Sequence, residues 1–264
     1  MLHYKHYRNQ NKHLIIMIHG FLGSIETFKP AKDLLLPYID VILVECPGHG
    51  QENDATENWS FYEIAKQLSQ YIKNVSEDYQ SITLYGYSMG GRIALYTALH
   101  YPELIDKLII ESATPGIESE ELRQNRAAQD ALRSERIKQD YVAFIDAWEQ
   151  LALFNTFKPL TQAQEIRQRD IRLNHHPESI AKALREYGTG QQKNLWPMLK
   201  DFNKPVLILT GSLDSKFELI ANRMAEQLPE AQHVIISAGH TIHVENLKIF
   251  DTIIVSFIKE ENHD

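Results

Sequence analysis

The chain of 264 residues is long enough for one large domain with a substantial hydrophobic core. Hydrophobic residues make up 43% and charged residues 23%, and the net charge of -8 argues against the basic face that nucleic-acid binding requires. The single cysteine, Cys46, excludes an internal disulfide and a cysteine-rich zinc site. No apolar run reaches transmembrane length and 1–12 lacks the apolar segment of a signal peptide, so we expect a cytoplasmic protein without membrane insertion.

Short apolar stretches alternate with helical patterns along most of the chain. The stretches are partly β-branched and carry few charges, as buried parallel strands do. We predict strands at 2–8 (an edge strand), 13–18, 41–44, 81–85, 108–110, 206–210 and 233–236. We predict helices at 24–36, 60–74, 92–101, 217–228 and 247–259. This order indicates an α/β fold with a mostly parallel central sheet flanked by helices.

The alternation stops in the middle of the chain, where helical patterns occur without a convincing strand. We therefore predict an inserted helical cap at 117–195, above a core formed by 1–116 and 196–264. Eight of the eleven arginines lie between Ala113 and Leu195, against four of the sixteen lysines. One interpretation is a solvated surface of paired charges. The other is recognition of carboxylates, which a planar guanidinium can bind with two hydrogen bonds.

A G-x-S-x-G motif, Gly86-Tyr87-Ser88-Met89-Gly90, separates the predicted strand 81–85 from the predicted helix 92–101. This strand–turn–helix context is the one that a nucleophile elbow requires. The glycines permit the tight turn, and the Ser88 hydroxyl would lie at the positive end of the helix. The alternative is a glycine-rich turn that carries a serine by chance.

Two further polar residues follow later strands. Asp214 comes after 206–210 and His240 after 233–236. Ligands of open parallel sheets bind outside the carboxyl ends of the strands, so both residues are expected beside Ser88. A serine hydroxyl needs a histidine to accept its proton, and that histidine needs a carboxylate to orient it. We predict a catalytic triad, although an aspartate or histidine at a strand end is individually often only a loop cap.

His243 competes with His240 for the place in the triad, because it lies only three residues further along the chain. Gly239-His240 directly follows the last strand, so we assign His240 to the triad. We predict a structural or cleft-lining role for His243.

The backbone N–H groups of Phe21 and Met89 are the predicted oxyanion hole. Phe21 belongs to the loop His19-Gly20-Phe21 after the strand 13–18, and Met89 follows the predicted nucleophile. Hydrolases with this elbow take their two oxyanion donors from these two places. We expect His19 to form a hydrogen bond within its loop, and His49 to fix the loop that contains it.

The sequence contains no spacing of histidines, cysteines and carboxylates that is typical of a metal site. His175 and His176, which precede Pro177, are predicted to be a loop pair. We expect neither a metal ion nor a cofactor.

Over nearly its whole length the chain resembles the α/β-hydrolase superfamily, in which the triad has the order Ser–Asp–His. A narrower resemblance is to the 2-succinyl-6-hydroxy-2,4-cyclohexadiene-1-carboxylate (SHCHC) synthases of menaquinone biosynthesis. The elbow is common to many hydrolases, whereas the D-S-K-F and G-T-G-Q segments are more specific. The segments that carry the narrower resemblance are 86–92, 112–116, 188–191 before Leu195-Trp196, 214–217 and 238–240.

This resemblance implies a lyase that eliminates pyruvate from 2-succinyl-5-enolpyruvyl-6-hydroxy-3-cyclohexene-1-carboxylate and leaves a cyclohexadiene. It implies that Ser88, activated by His240 and Asp214, removes a ring proton instead of attacking a carbonyl. The oxyanion hole would then stabilise negative charge that develops on the substrate.

The same resemblance implies which side chains bind the substrate, a small anionic tricarboxylate. Arg92, four residues after Ser88, is the firmest transfer by motif position. The other positions that match are Tyr87, Arg126, Trp148 and Arg172.

Two other functions remain open from the sequence. A carboxylesterase, thioesterase or C–C bond hydrolase would use the same triad, but would not by itself explain the arginines of the cap. A non-catalytic binding protein could use the fold as a ligand pocket. The intact set of serine, aspartate and histidine argues against this second alternative.

Overall fold

A seven-stranded sheet forms the centre of the protein, whose computed structural model describes residues 2–50, 58–154 and 160–260. The strands are β1 (His3–Tyr7), β2 (His13–Ile18), β3 (Asp40–Glu45), β4 (Ser81–Tyr87), β5 (Lys107–Glu111), β6 (Val206–Gly211) and β7 (Ala231–Ile236). Their order is β1-β3-β2-β4-β5-β6-β7. The edge strand β1 is antiparallel to β3, and the other described pairs are parallel. The predicted mostly parallel sheet is confirmed.

The described part of the chain contains ten α-helices. They are α1 (Lys29–Leu35), α2 (Phe61–Ser76), α3 (Met89–His100), α4 (Glu120–Gln139), α5 (Tyr141–Glu149), α6 (Gln162–Leu173), α7 (Pro177–Tyr187), α8 (Ser215–Gln227), α9 (Ile242–Glu245) and α10 (Leu247–Lys259). Short 3-10 turns lie at Ile25–Phe28, Pro102–Leu104, Ala152–Phe154, Thr189–Gln191 and Trp196–Asp201. Within the described ranges, no helix combines the length and apolar character that crossing a bilayer requires.

Both faces of the sheet are buried over its inner strands, which explains why β2 to β6 are apolar at most positions. In β2, Ile16 packs with α2 and α3 on one face, while Met17 packs with α1 and α10 on the other. Both side chains have no solvent exposure. Successive residues of a strand point to opposite faces, so two covered faces require a continuous apolar run.

Several predicted helix starts differ in detail from the structure: α3 begins at Met89 instead of 92, and α8 begins at Ser215 instead of 217. The helix predicted at 24–36 is a 3-10 turn followed by α1, which has Pro30 in its first turn, where the missing N–H is tolerated. The Ser60 hydroxyl accepts the Glu63 N–H at 3.3 Å, but the Ser60 N–H donates to Asn58 Oδ1 at 2.9 Å. Only half of a capping box therefore forms, because Asn58 supplies the second acceptor.

Four helices, α4 to α7, lie between β5 and β6, where the inserted cap is predicted. They have an apolar cluster of their own, which includes Ile137, Ile145, Ile180 and Leu184. Leu22, from the loop after β2, belongs to the same cluster. We call the helices α4 to α7 the cap. The loop after β2 is therefore packed against the cap as well as joined to the sheet.

Candidate active site

The strand β4 and the helix α3 meet at Ser88, which has a φ of +50°. This left-handed conformation is rare for a residue with a side chain and presents the hydroxyl at the edge of the sheet. A Cβ atom on Gly86 would lie 2.2 Å from the Gly90 carbonyl oxygen, and one on Gly90 would lie 2.1 Å from that of Ile18. The turn therefore requires glycine at both positions.

Ser88, His240 and Asp214 are brought together at this edge. His240 Nε2 lies 3.2 Å from Ser88 Oγ, and His240 Nδ1 lies 2.5 Å from Asp214 Oδ2. Because the carboxylate accepts from Nδ1–H, Nε2 is free to accept the serine proton. His240 is 1% exposed and Asp214 6% exposed, so water is largely excluded from their hydrogen bond.

His243 lies beneath the site and not beside Ser88. Its Nδ1 is 2.8 Å from Glu111 Oε1, and its ring packs edge-on against Tyr87 with centroids 4.6 Å apart. Tyr85 donates a hydrogen bond to the other carboxylate oxygen of Glu111 at 2.5 Å. This buried network supports β4 directly below Ser88.

Phe21 and Met89, the residues of the two predicted oxyanion donors, line the same cavity as Ser88. Phe21 lies in the turn Gly20–Gly23, which the Gly23 N–H closes by donating to the Gly20 oxygen at 3.0 Å. Met89 begins α3, so its N–H has no partner within the helix. Within the described residues, neither N–H donates a hydrogen bond. Both are therefore available to an anionic oxygen.

The cavity has a volume of about 990 Å³ and lies between the sheet edge and the cap. Most of the predicted site residues contribute to its wall. Those that line it are Phe21, Tyr87, Ser88, Met89, Arg92, Arg126, Trp148, Asp214 and His240. The described residues contain no group of three or more histidine, cysteine or acidic side chains arranged to hold a metal ion.

Arg92 is a buried cation without an acidic partner. It is 7% exposed, and its Nη1 lies 3.3 Å from the Tyr187 carbonyl oxygen. Its guanidinium carbon lies 5.5 Å from the centre of the Phe61 ring. No carboxylate of the described residues comes within 4.0 Å of it. Burial and the nearby Arg126 lower the pKa of Arg92 to about 10, which leaves it charged at neutral pH.

Arg126 and Arg133 share one acidic partner on α4. Arg126 Nε lies 2.8 Å and Arg133 Nη1 3.1 Å from the same oxygen of Asp130, which is 2% exposed. Both arginines line the cavity. Because one carboxylate neutralises one of two guanidinium groups, the pair keeps a net positive charge. Together with Arg92, the pair makes this side of the cavity cationic. We call the part of the cavity lined by Arg92, Arg126 and Arg133 its cationic arm.

Arg172 is the one predicted substrate-binding residue that does not line the cavity. Its Nη1 pairs with Glu149 Oε1 at 2.9 Å, and its guanidinium carbon lies 5.6 Å from the centre of the Phe154 ring. Glu149 also binds Arg169 at 2.6 Å. The structure therefore places Arg172 behind Phe154, within an ion-pair network of the cap.

The aromatic residues form the wall around the triad. The rings of Tyr87 and His240 have centroids 5.5 Å apart, and those of Trp148 and Phe21 are 5.3 Å apart. Burial, with the nearby Glu111 carboxylate, raises the pKa of Tyr87 well above its usual value, so its hydroxyl remains a hydrogen-bond donor. The ring of Phe217 packs against that of His240, with centroids 4.7 Å apart, and shields it from solvent.

Residues 13–247 match a family model described as the alpha/beta hydrolase fold. The chain belongs to the α/β-hydrolase family. The resemblance that the sequence motifs carried is confirmed, and the fold with its inserted helices agrees with it.

Within this family the chain groups with proteins named SHCHC synthase. Such a synthase from Yersinia pseudotuberculosis is 32% identical over 250 residues, which are 94% of this chain and 88% of that protein. A Bacillus subtilis protein that carries the name provisionally is 34% identical over 92% of this chain and 89% of its own length.

Solved structures also resemble this chain, one of them at high identity and one in its fold alone. MenH from S. aureus is 38% identical, has a TM-score of 0.93, and overlaps 97% of this chain and 98% of its own. An esterase from Exiguobacterium antarcticum has a TM-score of 0.83 at 19% identity, covering 98% of this chain and 96% of its own. At that identity the likeness shows the fold alone.

Two parts of this α/β-hydrolase site were missed from the sequence. Phe154 lies 6.2 Å from the His240 ring, but it follows a stretch whose helical pattern gives no sign of proximity to the triad. Glu111 is fully buried beneath the site. A charged residue at the end of the apolar strand Leu108-Ile109-Ile110 was the signal that could have revealed it.

Proposed function

We propose that this enzyme eliminates pyruvate from 2-succinyl-5-enolpyruvyl-6-hydroxy-3-cyclohexene-1-carboxylate and gives SHCHC for menaquinone biosynthesis. The observation that carries the proposal is Arg92, a buried guanidinium without an acidic partner, in the same cavity as Ser88 and His240. Burying an unpaired charge is costly, so the site favours a ligand that brings a carboxylate. The names of the relatives support the same reaction.

Ser88 is the proposed base. His240 takes the serine proton as Ser88 Oγ removes a proton from the ring, and Asp214 stabilises the resulting imidazolium. The electrons of the broken C–H bond form the new ring double bond, and the C–O bond to the enolpyruvyl group breaks. Enolpyruvate leaves and becomes pyruvate when it takes up a proton. The N–H groups of Phe21 and Met89 stabilise negative charge that develops on the substrate.

The cationic arm of the cavity binds carboxylates of the substrate in this proposal. Arg92 need not exchange an acidic partner for the substrate, because its guanidinium donates only to the Tyr187 carbonyl oxygen among the described residues. Arg126 can exchange part of its interaction with Asp130, which Arg133 also neutralises. Arg172 takes part only after it exchanges Glu149 for the substrate. Tyr87 and Trp148 contact the ring from the aromatic wall.

The proposal also concerns the domain organisation, the location of the reaction and the need for a metal ion or cofactor. The residues 117–195 act as a cap over a core made of 1–116 and 196–264. The reaction takes place in the cytoplasm, and neither a metal ion nor a cofactor takes part. These features follow from the composition, the motif spacing and the reaction, which needs only proton transfer and elimination.

Ester hydrolysis is the second candidate. The free N–H groups of Phe21 and Met89, beside a serine 3.2 Å from its histidine, also suit attack on a carbonyl. In that case Ser88 would form an acyl-enzyme, and an ester substrate would give a burst of alcohol release.

Ultraviolet absorbance tests the proposal directly. Purified enzyme mixed with the enolpyruvyl substrate should produce a conjugated diene, and pyruvate assayed in parallel should appear in equal amount. Ser88→Ala, at the same concentration, should give neither product at a comparable rate. Absence of the diene with the unchanged enzyme, together with burst hydrolysis of a small ester, would replace the lyase by the esterase.

A further inference from the structure

The turn that carries one oxyanion donor is held in a strained conformation. In Gly20–Gly23, Leu22 has a φ of +61° although it carries a bulky side chain. A left-handed conformation is unfavourable for a residue with a side chain, so contacts elsewhere must stabilise it. Relaxation of Leu22 to a negative φ would turn the Phe21–Leu22 peptide. That peptide is joined at the Phe21 Cα to the peptide that carries the Phe21 N–H, so the N–H would be displaced with it.

The side chain of Leu22 is held by the cap. Leu22 is 2% exposed and belongs to the cap cluster, which contains Ile137, Ile145, Ile180 and Leu184. None of these partners comes from the sheet. The apolar contacts that fix the turn therefore depend on helices α4, α5 and α7.

The carbonyl of Leu22 is held by the cap as well. His175, in the connection between α6 and α7, is 7% exposed, and its Nε2 lies 3.0 Å from the Leu22 oxygen. Its Nδ1 accepts the Gly50 N–H at 2.9 Å. Because both ring nitrogens are engaged, with Nε2–H as donor, the side chain is fixed as one neutral tautomer.

We propose that His175 is a positioning residue for the oxyanion hole: from the cap, it binds the Leu22 carbonyl and so holds the Phe21 N–H toward the oxygen above Ser88. The inference rests on the oxyanion role proposed for Phe21, but not on the identity of the substrate. It assigns to the cap a part in transition-state stabilisation in addition to ligand binding.

The two hydrogen bonds of His175 can be separated by substitution. In His175→Gln, the amide nitrogen reaches the position of Nε2 and keeps the donation to Leu22. In His175→Asn, the amide oxygen takes the position of Nδ1 and keeps only the bond from Gly50. His175→Ala removes both. The neighbouring His176 is exposed, so His176→Ala is a matched control.

Diisopropyl fluorophosphate is the probe, because its reaction depends on the oxyanion hole and not on the natural substrate. Ser88 Oγ forms the new bond to phosphorus, fluoride leaves, and His240 takes the serine proton. The rate of labelling of the full chain is followed by mass spectrometry. Loss of an oxyanion donor typically slows turnover by about 100-fold or more, so a misplaced donor should slow labelling by about 10-fold or more.

We expect His175→Ala and His175→Asn to label at least about 10-fold more slowly than the unchanged chain. His175→Gln and His176→Ala should label at nearly the normal rate. In the lyase assay, the slow variants should lose kcat while KM changes little, since substrate binding does not use the oxyanion hole.

Three results would overturn the inference: equal labelling of all variants, equal slowing of the Gln and Asn variants, or no labelling of the unchanged chain. Slow labelling in a variant whose thermal midpoint has collapsed is resolved by His175→Gln, which keeps the decisive bond. If the unchanged chain labels normally but forms no diene from the enolpyruvyl substrate, the proposed lyase function fails and the role of His175 stands.

Discussion

We expect Ser88, His240 and Asp214 to act as one chemical unit. Ser88→Ala and His240→Ala should each lower kcat by roughly a thousandfold or more, because each removes the proton transfer on which the other depends. The double variant should be little worse than either single one. Steady-state kinetics, with thermal unfolding to verify folding, measures both effects. Additive losses would show that the two residues do not act together.

Substitutions of His240 and His243 should have different effects, one on turnover and the other on stability. His240→Asn should abolish turnover with little effect on stability. His243→Ala should keep most of the turnover but lower the free energy of unfolding by roughly 1–3 kcal/mol, because the buried Glu111 carboxylate loses a hydrogen-bond partner. Parallel kinetics and urea titrations of the two variants test this. The reverse pattern would assign the triad to His243.

Arg92 should discriminate between anionic and neutral substrates. Arg92→Ala should lower kcat/KM for the tricarboxylate by roughly 30-fold or more, since removing one partner of a buried ion pair costs about 2 kcal/mol or more. Arg92→Lys should restore little, because lysine lacks the planar fork. The same variants should hardly affect hydrolysis of a small neutral ester.

Arg123 provides the control for this prediction. It lies on the cap helix α4, pairs with Glu120 and does not line the cavity, so Arg123→Ala should behave normally on both substrates. Equal losses on the anionic and neutral substrates in Arg92→Ala would mean that Arg92 supports the fold and not the ligand.

Sequence patterns reveal the functional residues that lie at strand ends, and miss those whose partners come from far along the chain. Ser88, Asp214 and His240 each follow a strand with its own local pattern, so their meeting could be predicted. Glu111 contacts a histidine 132 residues away, and His175 binds a carbonyl 153 residues away. Neither contact leaves a trace in the spacing of neighbouring residues.

At the scale of elements, the junction of β4 with α3 tolerates no added atom. Gly90→Ala would place a methyl group 2.1 Å from the Ile18 carbonyl oxygen, and Gly86→Ala would place one 2.2 Å from that of Gly90. Each substitution should lower the free energy of unfolding by roughly 1–3 kcal/mol or more, because the obstacle is backbone. Each should also displace the serine and reduce turnover. Urea titration and kinetics measure these effects, and normal stability in either variant would contradict the geometry.

The helices of the core were easier to predict than those of the cap, for a physical reason. The helix α2 buries residues at helical spacing along one face, which include Ile64, Leu68 and Ile72. Only three residues of α4 are buried, namely Asp130, Ser134 and Ile137. Two of these are polar, so hydrophobic periodicity could indicate helix in this region but not its bounds or its buried face.

At the scale of the whole molecule, the buried histidine of the cap makes stability depend on pH. Burial lowers the pKa of His175 to about 4, below the value of about 6.5 expected in the unfolded chain. The unfolded state therefore binds a proton more readily, so the stabilisation is complete above about pH 6.5 and is lost as the pH falls toward 4. This difference between the two pKa values corresponds to about 3 kcal/mol in the free energy of unfolding.

Urea titrations between pH 7 and pH 4 can isolate this contribution. His175→Gln lacks the titrating ring and should lose about 3 kcal/mol less over this range than the unchanged protein. His176→Ala should follow the unchanged protein, because His176 is exposed. Identical pH dependence in the Gln variant would show that other groups cause the acid destabilisation.

The packing of Leu22 into the cap cluster limits how this enzyme can be redesigned. A chimera that carries the cap of another α/β-hydrolase would deprive Leu22 of the apolar partners and of the histidine that hold its turn. The chimera would gain a new ligand specificity, but the Phe21 N–H, the proposed oxyanion donor, would be misplaced and the reaction would be slower. Exchange of caps in this family therefore requires that the turn at Gly20–Gly23 be transferred together with the helices that cover it.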